Sequence, residues 1–194
     1  PNAQPGDLRF RDTNNDGVLN DDDLTVIGDP FADFFGGLTA NVQYKKFDLS
    51  MQWYGTFGND VFNYPTTFLY SGVQDVNIAK GALDNVWSPE NTGAQYPRLT
   101  QVDRNGNYQR ASDLFIEDAS YLRLRNIQLG YNLKINGFKK FRVYVSGQNL
   151  LTLTKYSGFD PEVAAGGNVI NDFGIDYARN PVTKTFLLGL NLTL

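Results

Sequence analysis

Residues 185–194 (TFLLGLNLTL) constrain the fold more than any other stretch. Phe186, Leu188, Leu190, Leu192 and Leu194 alternate with Gly189, Asn191 and Thr193, and Leu187 breaks the pattern. Side chains of a strand alternate between two faces, so this segment has one apolar face and one small or polar face. At a sheet edge in water, so apolar a strand invites aggregation. In a transmembrane barrel the same pattern is required, with lipid outside and water or a plug inside.

The pattern recurs upstream. Leu38, Ala40, Val42 and Tyr44 alternate with polar residues, and so do Phe47, Leu49, Met51 and Trp53. Two strands so close must meet in a tight hairpin at Lys45 and Lys46. A third strand is expected over 120–133, with Ile127, Leu129, Tyr131 and Leu133 on one face. Leu122 and Leu124 are out of phase with that face, so a bulge, or a strand rising beyond the bilayer, is expected near Asn126. Asn136-Gly137 is a turn signal, and Phe141, Val143 and Val145 begin a fourth strand. The connections alternate between short (45–46, 134–139) and long (58–118, 153–182), as outer-membrane barrels do with their periplasmic turns and outer loops.

The expected fold class is therefore all-β, an antiparallel transmembrane β-barrel segment of about five strands with long extracellular loops. About eight strands are the floor for closure, so the segment belongs to a larger barrel. The expected organisation is an extracellular loop with an acidic motif at 1–34, a barrel hairpin at 35–57 and a long extracellular loop at 58–118. A second barrel hairpin at 119–152, an extracellular loop at 153–182 and a closing strand at 183–194 follow. Residues 58–118 lack any sustained period, although DVNIAKGALDNVW (75–87) allows a short helix. A chain opening PNAQPGD is expected to be a fragment or a processed piece.

Composition narrows the chemistry. Histidine and cysteine are absent from the 194 residues, which removes the commonest general base, the thiolate nucleophile and the usual zinc ligands. The net charge of −4 argues against nucleic acid. No run reaches the length of a membrane helix, and the mean hydropathy of −0.37 fits a barrel whose alternate residues alone face lipid.

One motif carries explicit chemistry. In DTNNDGVLNDDD (12–23), oxygen side chains fall at loop positions one, three, five, nine and twelve: Asp12, Asn14, Asp16, Asn20 and Asp23. Gly17 takes position six, where the loop turns sharply, and Val18 offers its backbone carbonyl at seven. Hard oxygen ligands in this spacing point to Ca2+ in a structural role; Asp23 replaces the glutamate of an EF-hand. The competing reading is a solvated Asx-rich turn.

Other constellations favour plain roles. Glu117 and Asp118 read as solvated strand-end residues rather than an acid–base pair. Arg123 and Arg125 read as lumen or rim charges balancing those two acids rather than an anion grip. Trp53 is expected at a lipid-facing position, and Trp87 is open between packing and partner contact. Gly36-Gly37 and Gly166-Gly167 lack the context of a phosphate loop.

GDLRFRDTNNDGVLNDDDLTVIGDP and the motifs WSPEN (87–91) and YPRL (96–99) resemble the late barrel region of SusC/RagA-type TonB-dependent outer-membrane transporters. FIEDASYLRLRNIQLGYNL (115–133), RVYVSGQNLLTLTKYSGFDPEV (142–163) and GIDY (174–177) are closer still. The resemblance implies a barrel of about 22 strands with an N-terminal plug. It implies import of glycans, peptides or similar nutrients across the outer membrane of a Gram-negative bacterium. The implied partners are outer-membrane lipid, a SusD-like surface lipoprotein, the remaining strands and plug, and TonB acting through the absent N-terminal part. The family usually finishes on an aromatic residue, where this sequence has Leu194. A soluble, calcium-stabilised β domain binding glycan or protein is the alternative, and a carboxylate enzyme is the least favoured.

Overall fold

The computed structural model describes residues 3–72, 77–162 and 173–194. It divides into two compact units. One, the sheet unit, comprises Phe31–Asp60, Asp118–Glu162 and Arg179–Leu194; the other, the loop unit, comprises Pro1–Pro30, Val61–Glu117 and Val163–Ala178.

In chain order the elements are β1 (Phe34–Tyr44), β2 (Phe47–Phe57), β3 (Asp60–Asn63), α1 (Tyr64–Leu69), α2 (Ala82–Asn85), β4 (Ile116–Asp118), β5 (Tyr121–Leu133), β6 (Lys140–Thr154), β7 (Ile175–Asp176) and β8 (Thr185–Thr193). Strands β1-β2-β5-β6-β8 form an antiparallel sheet of five. The sheet is open, with β1 and β8 as its edges. The first hairpin turns at the expected place, pairing Tyr44 with Phe47 across Lys45, whose φ is +53°.

Register sorts the sheet into two faces. Val42, Leu49, Leu129, Val145 and Leu188 form one cross-strand row, and Ala40, Met51, Ile127, Gly147 and Phe186 the next. The opposite face carries Asn41, Ser50, Gln128, Ser146 and Leu187 in one row. Leu187, the exception in the terminal alternation, thus points to the polar side. The phase slip near Asn126 is a bulge. Gln52 pairs with Asn126 but Trp53 pairs with Leu124, leaving Arg125 as the extra residue. On the other side Gln148 pairs with Asn126 and Leu151 with Leu124, and Asn149 between them has a φ of +53°. The fourth strand runs to Thr154, beyond the hairpin boundary expected at 152.

The stretch without sequence period, 58–118, holds short elements. Pro65 sits in the first turn of α1, where its missing N–H costs nothing. The expected helix over 75–87 is reduced to the single turn of α2, and Asp75 and Val76 lie outside the described residues. A small sheet of order β4-β3-β7 pairs Phe62 with Ile175 in parallel. Val61, Ala82, Val86, Tyr96, Tyr108 and Phe115 are buried in the loop unit. Phe62 lies against Phe115, and Tyr70 stacks on Tyr96 at 3.9 Å. No helix is long and apolar enough to cross a membrane, among the described residues.

Candidate functional site

The acidic loop closes on itself. The Asp12 carboxylate accepts the amides of Asn15 (2.6 Å), Asp16 (3.3 Å) and Gly17 (2.8 Å). Asp16 accepts the Val18 amide at 2.8 Å, and Asn14 accepts the Asp16 amide at 3.0 Å. The far end is a capping box on a one-turn 3-10 helix, Asp21–Asp23. Asn20 accepts the Asp22 amide (2.6 Å), and Asp23 accepts the Asn20 amide (3.0 Å). Asp23 also accepts the Thr13 amide at 2.7 Å, tying the two ends together. The amides of Asn20 and Thr13 hold its carboxyl below the usual range. Gly17 has a φ of +83°, so the sharp turn at position six is real and favours glycine. The expected ligand residues therefore share one loop, with their oxygens turned toward its own amides. Among the described residues, no three acidic side chains stand together as a metal cluster.

The sheet unit holds a charged cluster that the sequence only half revealed. Arg123 is 1% exposed on the polar face. It donates to Asp160 at 2.5 Å, to Glu162 at 2.9 Å and to Thr152 at 2.9 Å. Arg125, freed by the bulge, reaches Glu162 at 2.5 Å. The expected balance with Glu117 and Asp118 is therefore wrong. Glu117 accepts the Asn63 side chain at 2.7 Å, and Asp118 accepts the Ser120 amide at 2.8 Å. A buried guanidinium needs an anion within reach, and the chain following β6 supplies two. The signal available in the sequence was the pair of acids in DPE (160–162), a few residues beyond Thr152, the neutral cross-strand neighbour of Arg123. Burial pushes the Asp160 carboxyl up, but the Arg123 hydrogen bond and the amides of Glu162 and Val182 outweigh it and hold the group low.

Beside this cluster the polar face forms a hollow of about 550 Å³ lined by Gln52, Arg125, Asn126, Gln128, Ser146 and Gln148, among others. Ser146 donates to Asn126 at 3.0 Å. Further along, Arg142 grips Asp48, and Asn132 donates to Asp48 at 2.9 Å. Gly130 makes room, since a Cβ there would collide with the Arg142 guanidinium. The surface is rich in paired donors and acceptors, such as Ser146 with Asn126 and Asn132 with Asp48.

In the loop unit, Asp7 accepts Arg98 at 2.8 Å and the fully buried Asn107 at 2.9 Å. Asn107 in turn accepts the Leu8 amide at 2.9 Å. Burial raises the Asp7 carboxyl, and the Arg98 and Asn107 bonds more than reverse it. Trp87 packs over Gly6, so close that a Cβ at Gly6 would overlap the ring. Trp53 lies on the apolar face of the sheet, opposite Leu38 and Leu124. Gly166-Gly167 lies outside the described residues.

Comparison with known proteins gives this arrangement a family. No family model matches the chain. TonB-dependent receptor P3 of Formosa agariphila is 35% identical over 203 residues, covering 98% of this chain and 19% of its own length. TonB-dependent receptor SusC of Bacteroides thetaiotaomicron is 34% identical over 197 residues, covering 98% of this chain and 18% of its own length. The solved RagAB peptide importer, in its open-open state, superimposes with a TM-score of 0.66 at 29% identity, covering 82% of this chain and 17% of that one. The chain belongs to the TonB-dependent receptors. Within them it is of the SusC/RagA type, and it spans about a fifth of the length of the curated relatives it matches. These relatives are receptors and an importer.

Proposed function

We propose that this chain is the C-terminal part of the barrel of a TonB-dependent importer in the outer membrane of a Gram-negative bacterium, taking up glycan or peptide. In this reading the sheet contributes five strands to a barrel of about 22, working with a SusD-like surface lipoprotein and, through the rest of the transporter, with TonB. The observation that carries it is the apolar face. Phe186 and Leu188 are 76% and 78% exposed, and Leu190 and Leu192 are about half exposed. Aromatic rows bound that face: Tyr44 and Phe47 pair at one end, and Phe34 and Phe57 at the other. Ten residues separate these rows along each strand of that pair. At ~3.3 Å per residue and a tilt near 40°, that is about 25 Å of height, the thickness of the apolar band of an outer-membrane barrel. The polar face then lines the lumen, and the long connections leave from the end opposite the short turns.

Cysteine scanning of the full-length receptor in bilayers tests this. Cysteines at 188, 190 and 192 should react with a lipid-borne reagent, and those at 189, 191 and 193 with a water-soluble one. Equal reaction of both sets with the aqueous reagent overturns the membrane reading.

In the same reading the acidic loop binds Ca2+ through Asp12, Asn14, Asp16, Asn20, Asp23 and the Val18 carbonyl. The donor chemistry and the Gly17 turn support this, and each carboxylate keeps lone pairs beyond those used by the loop amides. The ion supplies charge neutralisation that pins the loop. Chelation should speed proteolysis within 12–23; an unchanged cleavage rate removes the metal and leaves the Asx-rich turn.

A further inference from the structure

Charge is divided unevenly between the two units. The sheet unit carries eleven basic and six acidic side chains, a net of +5. The loop unit carries six basic and fifteen acidic, a net of −9, which together give the chain's −4. The sheet's excess sits at one end. Lys45 and Lys46 in the first short turn, and Lys134, Lys139 and Lys140 around the second, are five of the chain's eight lysines. All five are exposed, and none takes part in an ion pair among the described residues. The only acidic side chain in 44–48, 131–142 and 190–194 is Asp48, which Arg142 and Asn132 already occupy.

Immediately inside these lysines, on the apolar face, runs an aromatic row. Tyr44 pairs with Phe47, and Phe47 with Tyr131, the latter two rings 4.7 Å apart. Phe138 and Phe141 continue it, 5.7 Å apart. The Lys45 ammonium lies over the Tyr44 ring, 5.2 Å from its centroid, and the Lys46 ammonium over that of Tyr131, at 5.9 Å, so these two cations sit at the row itself. Aromatic rings at headgroup depth, with cations against them and in the adjoining turns, match an anionic bilayer surface.

We infer that the short-turn end of this sheet binds the phosphate headgroups of anionic phospholipids, with the five lysines as its contacts. The inference rests on the membrane reading above. It makes the leaflet facing the short turns, and not bulk lipid, a specific partner of the transporter.

The test uses the full-length receptor carrying this segment, reconstituted in phosphatidylcholine with trace spin-labelled lipids. The wild type should hold phosphatidylglycerol about threefold over phosphatidylcholine, a preference that falls in high salt. The K45Q/K46Q/K134Q/K139Q/K140Q variant should lose it, and the same five positions changed to Arg should keep it. If the quintuple variant fails to fold, K45Q/K46Q and K139Q/K140Q should each lose part of it. Equal preference in wild type and Gln variants overturns the inference and leaves the membrane reading intact. Displacement of the phospholipid probe by lipopolysaccharide alone overturns the assignment to phospholipid. Failure of the receptor to immobilise either probe overturns the membrane reading itself.

Discussion

The two units differ most in what they leave exposed and in where their charges are buried. The loop unit hides Phe115, Tyr96, Tyr108 and Val86 and holds its stretches of chain together with buried amide bonds such as those of Asn107. The sheet unit hides Arg123, Arg142, Ser146 and Asp160 while leaving Leu188, Phe186 and Leu38 in the open. The first is ordered as water demands. The second fits the proposed lipid surroundings, since apolar surroundings favour a sheet with most of its leucines out and its ions in. On the proposed membrane reading, one chain of modest length meets two solvents, and the ordinary rule about cores holds for only part of it.

The sharpest way to break the contrast is to remove what each unit buries. Phe115→Ala in the loop unit should cost about 3–5 kcal/mol, the range for truncating a buried phenylalanine. Arg123→Ala in the sheet unit should cost a similar ~3–5 kcal/mol, because it strands Asp160 in a buried site. Both are read from denaturant unfolding of the full-length receptor in lipid; a cost below about 1 kcal/mol for Arg123→Ala would remove the cluster from the fold's support. Next comes the surface. Phe186→Arg, in the row of Ala40, Met51 and Ile127 between the two aromatic rows, should cost about 2–4 kcal/mol in a bilayer, where an arginine on a soluble surface would cost almost nothing. Asn107→Ala follows, at about 1–3 kcal/mol, by leaving the Leu8 amide and Asp7 short of a partner.

The smallest effect is a pH dependence shared by both units. Asp7 and Asp160 sit below their ordinary value of 3.8 when folded. Groups depressed in this way stabilise fully above the unfolded value, and the contribution is lost as pH falls through the lower folded one. Acidification below the ordinary carboxylate range should therefore loosen 3–10 from the loop unit and 155–162 from the sheet, seen as faster proteolysis at both places. Retained protection at 155–162 below that range would contradict the role of the Asp160 pair.

Much of the sheet is legible in the alternation of its residues. The hairpin at Lys45-Lys46 and the phase slip near Asn126 follow from a period of two, which is a local property of the chain. The loop 12–23 is equally legible as a turn, because Asp12, Asn14 and Gly17 act on amides a few residues away. The partners of Arg123 are not. Glu117 and Asp118 are nearer in sequence, yet the chain after β6 brings Asp160 and Glu162 to it across nearly forty positions. The tie from Asp7 to Asn107 spans a hundred residues and leaves no periodic trace.

By itself the sequence determined which residues face which way along each strand, since alternation needs only the chain's own pleat. It also set where the turns fall, through Lys45-Lys46 and Asn136-Gly137. Only the tertiary structure decided what those faces meet: that Leu187 lines a polar hollow, that Arg125 is the bulged residue, and that the buried charges pair with a distant loop. Pairing of side chains far apart in sequence depends on where the whole chain places them, and no local pattern encodes that distance.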